Sequence, residues 1–313
     1  MSVYELLQSA TYPDKVYDHL KDKVSPLPFH SSNYQLLPSS AALNKHCFWD
    51  PLGTKLSKNE KDLMNVSGDE FFTIRLDGKN FSSVCPRLRR AGVLEPGYSQ
   101  TFEEWMKDVC AFLVEKLNNV AYAYTQSDEI TLLFTPMPFN EKLQKHEPHM
   151  YNGRRDKLLT LCSSLATQRF HRNMVLRSGV ELMDSLPLAV FDARLGVYSN
   201  IEDAFELVLW RSYDCSVNAV STTLHLEPLT HMPKKEVDKM NTLQKLVLLY
   251  EAGRMEGMTH HQRYGTLLQR KKEPYQVTNR LTGLTGVKDK FRVSQVEGLI
   301  ISSVKEGRLV LSE

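Results

Sequence analysis

The chain has 313 residues, of which 42% are hydrophobic and 24% are charged, and its formal net charge at pH 7 is +2. Such a composition supports a sizeable buried core, and so small a net charge does not by itself demand a nucleic-acid partner. No apolar run approaches the roughly 20 residues that span a bilayer, so no membrane partner is predicted. The five cysteines are scattered without a C-x-x-C pair, which argues against a disulfide scaffold and predicts an intracellular protein.

Three regions are predicted: an N-terminal extension at 1–50, a catalytic core at 51–200, and a helical region with a C-terminal segment at 201–313 that packs on the core. In chain order the core patterns predict a strand at 71–76, a helix at 101–117, strands at 121–124 and 130–134, a helix at 156–174 and a strand at 186–198. This βαββαβ order is typical of an antiparallel ferredoxin-like sheet, the α+β fold of a polymerase palm, although that fold hosts many functions. Additional helices are predicted at 201–226 and 234–250.

Two acidic turns are the most informative feature of the core. Asp77 and Gly78 follow the first predicted strand, and Ser127, Asp128 and Glu129 lie between the two strands of a predicted hairpin. In a ferredoxin-like sheet the first strand lies beside this hairpin, so Asp77 and Asp128 can come within metal-bridging distance. Paired carboxylates suit a magnesium ion that acts in phosphoryl or nucleotidyl transfer. Either turn alone is more often structural, because Asp-Gly is a common turn dipeptide.

Several motifs in order resemble those of the tRNA-histidine guanylyltransferase superfamily, whose members add nucleotides in the 3′-to-5′ direction. The resemblance covers roughly residues 50–270. It is carried by Arg75-Leu76-Asp77-Gly78-Lys79-Asn80-Phe81, Gln126-Ser127-Asp128-Glu129, Phe191-Asp192-Ala193-Arg194, Trp210-Arg211 and Asp214.

The sequence departs from the histidine-tRNA enzymes at two places. Where they carry His-Ile-Asn-Asn-Leu-Tyr-Asn, this chain has Ser216-Val217-Asn218-Ala219-Val220-Ser221-Thr222, and a family histidine after the first motif is replaced by Ser82. Segments 52–56 and 263–266 are similar to the guanylyltransferase-like branch. The chain therefore resembles the branch that favours template-dependent repair of 5′-truncated tRNA.

The resemblance implies a site with two Mg²⁺ ions held by Asp77, Asp128 and the carbonyl of Gly78, with Glu129 ranked below the aspartates. Glu129 follows Asp128 directly, so its side chain is expected to turn to the other face. The implied partners are tRNA, ATP, GTP and other nucleoside triphosphates, and the implied assembly is a homotetramer. ATP or GTP would activate a 5′-monophosphate, which the 3′-hydroxyl of an incoming nucleotide then attacks. The compartment, cytoplasmic or mitochondrial, stays open.

The predicted contacts to triphosphate and RNA surround the acidic pair. A glycine turn that enters a helix presents several N–H groups to one anion. Arg154 and Lys157 share a helix face, where they either neutralise phosphates or form an ordinary solvated surface. Arg194 is expected either to contact RNA or to hold a buried carboxylate such as Asp214. The full set comprises Asp77, Gly78, Lys79, Asn80, Phe81, Ser82, Ser127, Asp128, Arg154 and Lys157 for nucleotide, and Arg194, Arg211 and Asn218 for RNA.

Three other interpretations are weighed against 5′-end repair. One is untemplated addition of guanosine to tRNA-histidine, and another is a nucleotide cyclase, which shares the palm and its paired acids. The third is a non-catalytic tRNA-binding protein, although two clustered charges are costly without a cation. A zinc site at His260 and His261 is not expected, because no acidic or cysteine partner lies at ligand spacing, and these histidines are predicted to be surface or RNA-facing residues.

Overall fold

The computed structural model describes residues 65–227, 233–278, 285–296, 301–305 and 308–311, so the predicted extension at 1–50 lies outside it. The described strands are β1 (Phe71–Lys79), β2 (Val120–Gln126), β3 (Glu129–Phe134), β4 (Phe139–Asn140), β5 (Lys145–His146), β6 (Val190–Tyr198), β7 (Thr266–Thr278), β8 (Thr285–Gln295), β9 (Ile301–Lys305) and β10 (Arg308–Leu311). The α-helices are α1 (Phe81–Arg90), α2 (Gln100–Lys116), α3 (Arg155–Ser178), α4 (Ile201–Leu226), α5 (Lys234–Lys239), α6 (Thr242–Glu251) and α7 (His260–Tyr264). None of these helices combines the length and apolar character that a bilayer crossing requires.

Six strands form one antiparallel sheet in the order β6-β1-β3-β2-β7-β8. The first four strands in this order, with α1 to α3 between them in sequence, form the predicted ferredoxin-like βαββαβ unit. The predicted fold class is therefore confirmed. β7 and β8 lengthen the sheet, so the region after residue 201 contributes strands as well as helices.

The sheet separates two hydrophobic cores. Alternate residues of a strand face opposite sides, and β1 sends Ile74 and Leu76 to the side covered by α2 and α3. Buried neighbours on that side include Met106, Leu113 and Phe170. The other side packs against α4 and α6, through Leu133, Tyr198, Phe205, Val220 and Leu249. Asp77 of β1 also lies on this second side, where it lines the site described below.

The helix predicted over 234–250 is two helices, α5 and α6. The break falls at Asn241, whose side chain accepts from the backbone N–H of Gln244 (2.9 Å), while the Gln244 side chain accepts from the N–H of Asn241 (3.0 Å). This reciprocal pair is a capping box, which starts a new helix rather than continuing the previous one. The single-helix prediction was wrong because the apolar spacing continues across the break.

Candidate active site

A cavity of about 610 Å³ opens at the end of β1, beside the β2–β3 turn and between α1 and α4. Asp77, Asp128 and Glu129 all line it. The three acidic residues named from the sequence therefore share one cleft.

The β2–β3 turn is tied to the end of β1 by its backbone. The N–H of Gly78 donates to the carbonyl oxygen of Asp128 (3.0 Å), and Ser127 takes the left-handed conformation, with φ 46°, that the two-residue turn requires. The Ser127 hydroxyl donates to Asp128 Oδ1 (3.1 Å). Burial raises the pKa of Asp128, and the negative charge of Asp77 raises it further, against the opposing effect of hydrogen bonds to its carboxylate from its own backbone N–H and from the Ser127 hydroxyl. The two carboxylates are thus close enough to repel.

Asp77 and Gly78 lie inside β1 rather than in a turn, which corrects the sequence interpretation. Gly78 is paired with Phe191 of β6, and the chain turns two residues later at Asn80, with φ 59°. Glycine is required at 78 by space, because a Cβ there would lie 2.6 Å from a ring carbon of Phe81. The N–H of Gly78 is already bonded to the carbonyl oxygen of Asp128, so this N–H is not available to a phosphate, contrary to the prediction that Gly78 contributes to a triphosphate cradle.

We predict that Gly78→Ala will destabilise the fold by about 1–3 kcal/mol, because the new methyl group overpacks the Phe81 ring. Phe81 is 3% exposed and cannot swing into solvent without leaving the core. Urea denaturation measures the free energy of unfolding. Gly286→Ala is the matched control, since its Cβ would meet nothing within 4 Å. Equal stability of the two variants would contradict this packing argument.

Glu129 is buried and held by a cation from α4. Arg211 Nε donates to Glu129 Oε1 (2.5 Å), and Arg211 Nη2 donates to Asp214 Oδ2 (3.1 Å). Burial raises the pKa of Glu129, against the attraction of Arg211. Burial lowers the pKa of Arg211, but its two carboxylate partners outweigh that effect and raise it. Asn218 Nδ2 also donates to Asp214 Oδ2 (2.9 Å), so the proposed RNA contacts Arg211 and Asn218 are engaged within the protein.

Glu129 also faces the same side of the sheet as Asp77, contrary to expectation. The two residues are direct cross-strand partners, and such partners share a face. Arg211 neutralises Glu129 instead of leaving it open to a metal. Asp128 turns back toward Asp77 because it sits in the turn.

The remaining acidic pair fits a divalent cation. Within the described segments, no ion pair joins Asp77 or Asp128 to a lysine or arginine, and no third acidic, histidine or cysteine side chain completes a cluster. Mg²⁺ is commonly bound by one or two carboxylates while substrate phosphates and water supply the other oxygens. Asp77, Asp128 and the carbonyl of Gly78 are therefore the donors that would hold it.

The cleft wall beside this pair suits a phosphate group. Phe81 and Ser82, at the start of α1, line the cleft, and no side-chain hydrogen bond from Asn80 caps that helix. The first N–H groups of a helix attract anions. Lys79 and Asn80 are exposed and lie outside the cavity lining.

Arg89 is a functional candidate that sequence reasoning did not single out. It lies two turns along α1 from Ser82 and lines the cleft. Its Nε is buried without a hydrogen-bond partner in the described structure, and its charge acts on Cys85, as does that of Asp128. In the sequence Arg89 is one of three arginines within four residues, with Arg87 and Arg90, and nothing in that basic cluster indicates which one faces the cleft.

Three predicted binding residues do not reach this cleft. Arg154 pairs with Asn65 near the start of β1, at the opposite end of that strand from Asp77, and Lys157 lies one helical turn beyond. Both are exposed, and the Lys157 ammonium lies over the ring of Tyr151. Arg194 is also exposed and lies 4.0 Å from Asp192, so it does not hold Asp214. The fold thus places Arg154 and Lys157 at the other end of β1 from the acidic pair. Arg194 is opposite Arg75 on the neighbouring strand, so it shares the face of Asp77 but lies outside the cavity lining.

The deep wall of the cleft is a buried polar network. Glu103 accepts from the Tyr98 hydroxyl (2.6 Å) and from the Thr259 hydroxyl (3.0 Å), and it pairs with Lys107. His261 is 5% exposed, contrary to its predicted surface position, and its Nδ1 lies 2.8 Å from Thr266 Oγ1. Burial lowers the pKa of His261 to about 4, so its ring is neutral at pH 7.

A ferredoxin-like sheet with two neighbouring carboxylates, one near the end of β1 and one in the β2–β3 turn, is the palm-type α+β architecture that the sequence predicted. Residues 54–199 match the family model described as "Thg1: tRNAHis guanylyltransferase". Through this stretch, which is 146 of the 313 residues, the chain is similar to the tRNA-histidine guanylyltransferase family, as its motifs predicted.

Some of the individual relatives are named as tRNA(His) guanylyltransferases. The chain is 30% identical over 190 residues to an uncharacterised protein of Acanthamoeba polyphaga mimivirus, covering 56% of this chain and 63% of that one. It is 28% identical over 154 residues to a probable tRNA(His) guanylyltransferase of Homo sapiens, covering 48% and 45%. The chain spans between 45% and 63% of the lengths of the curated relatives it matches. A bacterial tRNA(His) guanylyltransferase-like protein, solved in complex with ATP, shares the fold with a TM-score of 0.53 and 20% identity, over 71% of this chain and 86% of that one.

Proposed function

We propose that this protein is a 3′-to-5′ nucleotidyltransferase that repairs 5′-truncated tRNA by adding nucleotides opposite a template base. The observation that carries the proposal is the close pair Asp77 and Asp128, open to a cleft and unpaired by lysine or arginine in the described segments. The match of residues 54–199 to the family model supports the reaction class. The repair role is supported by Ser82 and Ser216, which stand where histidine-tRNA enzymes carry histidines.

The α4 segment 216–222, in which Ser216 replaces a family histidine, adds a structural argument for repair. Ser216 is fully buried in α4, where its hydroxyl donates to the carbonyl of Ser212 (3.2 Å). Asn218, the one asparagine that is kept, is bonded to Asp214. This stretch of α4 therefore offers no imidazole to RNA, so base choice would fall to pairing with the opposite RNA strand.

The site residues would have different roles in the two nucleotidyl-transfer steps. When bound, divalent ions would supply charge stabilisation of the attacking and leaving oxygens at phosphorus. Asp77 and Asp128 would hold them, while Arg211 keeps Glu129 away from that role. The start of α1 would orient a triphosphate, and the buried wall around Glu103 would exclude water from one side of the cleft.

The covalent steps are those that the resemblance to the family implies. A 5′-monophosphate oxygen attacks the α-phosphorus of ATP or GTP and releases pyrophosphate. The 3′-hydroxyl of the incoming nucleotide then attacks the 5′-phosphorus, and the activating nucleoside monophosphate leaves. The new end carries a triphosphate, from which pyrophosphate is then displaced either by water or by the 3′-hydroxyl of the next nucleotide. Each step is an in-line displacement that one acidic site can serve.

Two RNA substrates test the proposal. The protein is incubated with Mg²⁺, ATP and all four triphosphates, and with either a 5′-monophosphorylated tRNA lacking its first nucleotide or a full-length tRNA-histidine transcript. We expect extension of the truncated tRNA and at least a tenfold slower addition to the full-length one. Faster guanosine addition to the full-length RNA would overturn the repair assignment, and activity on neither would overturn the transfer assignment.

We predict that Arg89→Ala will weaken Mg²⁺-dependent binding of a non-hydrolysable triphosphate by about tenfold to a hundredfold, since a hydrogen bond to a charged group contributes about 1.5–3 kcal/mol. Isothermal titration calorimetry measures the Kd. Arg87→Ala is the control, because Arg87 is exposed on the same helix and lies outside the cavity lining. Equal losses in the two variants would mean that Arg89 acts through general charge alone.

A further inference from the structure

The β7–β8 hairpin leaves the sheet as a two-stranded ribbon. β7 pairs with β2 over Thr266 to Gln269, whereas β8 pairs with β7 along its whole length to Thr278. The end of the ribbon next to the sheet is held by Arg270. Its Nη1 donates to the carbonyl of Leu117 (2.9 Å), and its guanidinium lies 4.2 Å from the Phe291 ring centroid. Beyond Arg270 the ribbon projects from a fixed base.

This ribbon carries an excess of positive charge that the whole chain lacks. Its described residues, 266–278 and 285–295, contain six lysines and arginines but two acidic residues, a net charge of +4, whereas the full chain has +2. The rest of the chain therefore has a net charge of −2. The cations are Arg270, Lys271, Lys272, Lys288, Lys290 and Arg292, and the acids are Glu273 and Asp289. A local cluster of this kind is the electrostatic footprint of a polyanion-binding surface.

The register gathers much of this charge on one face. Lys271 is the cross-strand partner of Arg292, and Tyr275 is the partner of Lys288. Cross-strand partners share a face, and so do alternate residues of one strand, so these four positions lie on one side of the ribbon, which we call the basic face. Glu273 and its partner Lys290 lie on the same side, and Glu273 pairs with Arg292 (2.8 Å), so four cations and one acid leave this face with a net charge of +3. Lys271 and Arg292 are exposed, and the Tyr275 ring is 44% exposed. Exposed aromatic rings among cations are typical of surfaces that bind RNA.

The basic face is continuous with the side of the sheet that carries the acidic site. Gln269, two residues before Lys271, donates through Nε2 to the Tyr122 hydroxyl (3.1 Å), and Tyr122 packs against Phe205 of α4. Asp77 lies on this same α4 side. Because alternate residues of a strand face the same side, Lys271 and Tyr275 of β7 face the α4 side, as Gln269 does.

Strand geometry sets the distance between the two surfaces. Thr266 pairs with Thr125, the residue before Gln126 of the cleft lining, and β7 runs from there away from the cleft. The nine steps from Thr266 to Tyr275, at roughly 3.3 Å each, span about 30 Å. At roughly 3 Å of rise per base pair, this corresponds to about ten base pairs of a nucleic-acid helix.

We propose that the basic face of the β7–β8 ribbon binds the sugar-phosphate backbone of a double-helical RNA, about ten base pairs from the 5′ end held in the acidic cleft. The inference rests on the proposed function for the position of that 5′ end, but the binding of duplex RNA can be tested without turnover. Contacts to phosphate and sugar ignore sequence, which suits a protein that must repair a stem whatever its bases are.

Two hairpin RNAs of different length test the ribbon. Both lack the first 5′ nucleotide and share the same end, but one stem has about five base pairs and the other about twelve, which is long enough to reach Tyr275 by the spacing above. The variant is the triple Lys271→Ala, Tyr275→Ala, Lys288→Ala. The control is Lys142→Ala with Lys145→Ala, which removes two exposed lysines from the β4–β5 hairpin.

We expect the ribbon variant to raise Kd for the long RNA about tenfold, and to flatten the dependence of log Kd on log salt by about two, one for each lost phosphate contact. The ribbon variant should have the same Kd as the parent for the short RNA and for Mg²⁺-triphosphate. The control variant should bind like the parent. An unchanged Kd for the long RNA, or an equal loss on both RNAs, would overturn the inference. If the parent extends neither RNA but the length-dependent loss persists, the ribbon assignment stands and the proposed transfer function fails.

Discussion

Asp128→Asn is expected to lower the rate of nucleotide addition at least about a thousandfold, because a carboxylate that holds a catalytic cation supports several kcal/mol of transition-state stabilisation, and about 4 kcal/mol equals a factor of a thousand. The same change should not weaken the fold. Burial and the Asp77 charge raise the pKa of Asp128, so its ionised form is disfavoured in the folded state. A neutral amide removes that penalty, and the free energy of unfolding should stay equal or rise slightly.

The measurement combines steady-state kinetics on a truncated tRNA with urea denaturation of the same preparations. Asp156→Asn is the matched control, since Asp156 is an exposed aspartate in the first turn of α3, near the opposite end of β1. The control should retain full activity. Substantial activity in Asp128→Asn, or loss of activity that merely follows loss of folding, would contradict a catalytic role for this carboxylate.

The second large effect is expected at Arg211. Arg211→Ala should lower the free energy of unfolding by about 3–5 kcal/mol, because Glu129 would be left buried without its cation. The Glu129 and Arg211 side chains are 8% and 10% exposed, so water compensates little. The guanidinium also lies 4.8 Å from the Trp210 ring centroid, a contact that the substitution removes.

A double substitution separates the buried charge from the lost packing. Adding Glu129→Gln to Arg211→Ala should recover a large part of the lost stability, because the uncompensated charge is gone. Arg292→Ala provides the reference for a surface pair, since Arg292 and Glu273 are 60% and 49% exposed and their pairing contributes at most about 1 kcal/mol. Additive losses in the double variant would contradict the coupling of Arg211 to Glu129.

The sequence was sufficient for the fold class because the core strands are apolar in the expected places. The pattern at 71–76 predicted β1, and the observed strand continues to Lys79 because β6 pairs along it to that residue. The acidic pair was also predictable, since strand order alone places Asp77 beside the hairpin turn that holds Asp128.

Other features could not be predicted from one sequence because they depend on tertiary contacts. The basic residues Arg154 and Lys157 are at helical spacing, but that spacing does not indicate which end of the sheet the helix begins at. The partner of Glu129 is Arg211, 82 residues away in sequence, and no local pattern links them. The ribbon strands β7 and β8 are largely exposed beyond their root, so they lack the alternation of polar and apolar residues that identifies a half-buried strand.

The most direct test of the central claim changes the template base and leaves the protein unchanged. Four 5′-monophosphorylated tRNA transcripts, each lacking the first nucleotide and differing in the base opposite the gap, are incubated with Mg²⁺, ATP and all four triphosphates, and the new 5′ end is sequenced. We predict that the added nucleotide complements the opposing base in each transcript, and that Asp128→Asn adds none. Guanosine added whatever the opposing base, or extension at the 3′ end, would contradict templated 3′-to-5′ repair at the Asp77 and Asp128 site.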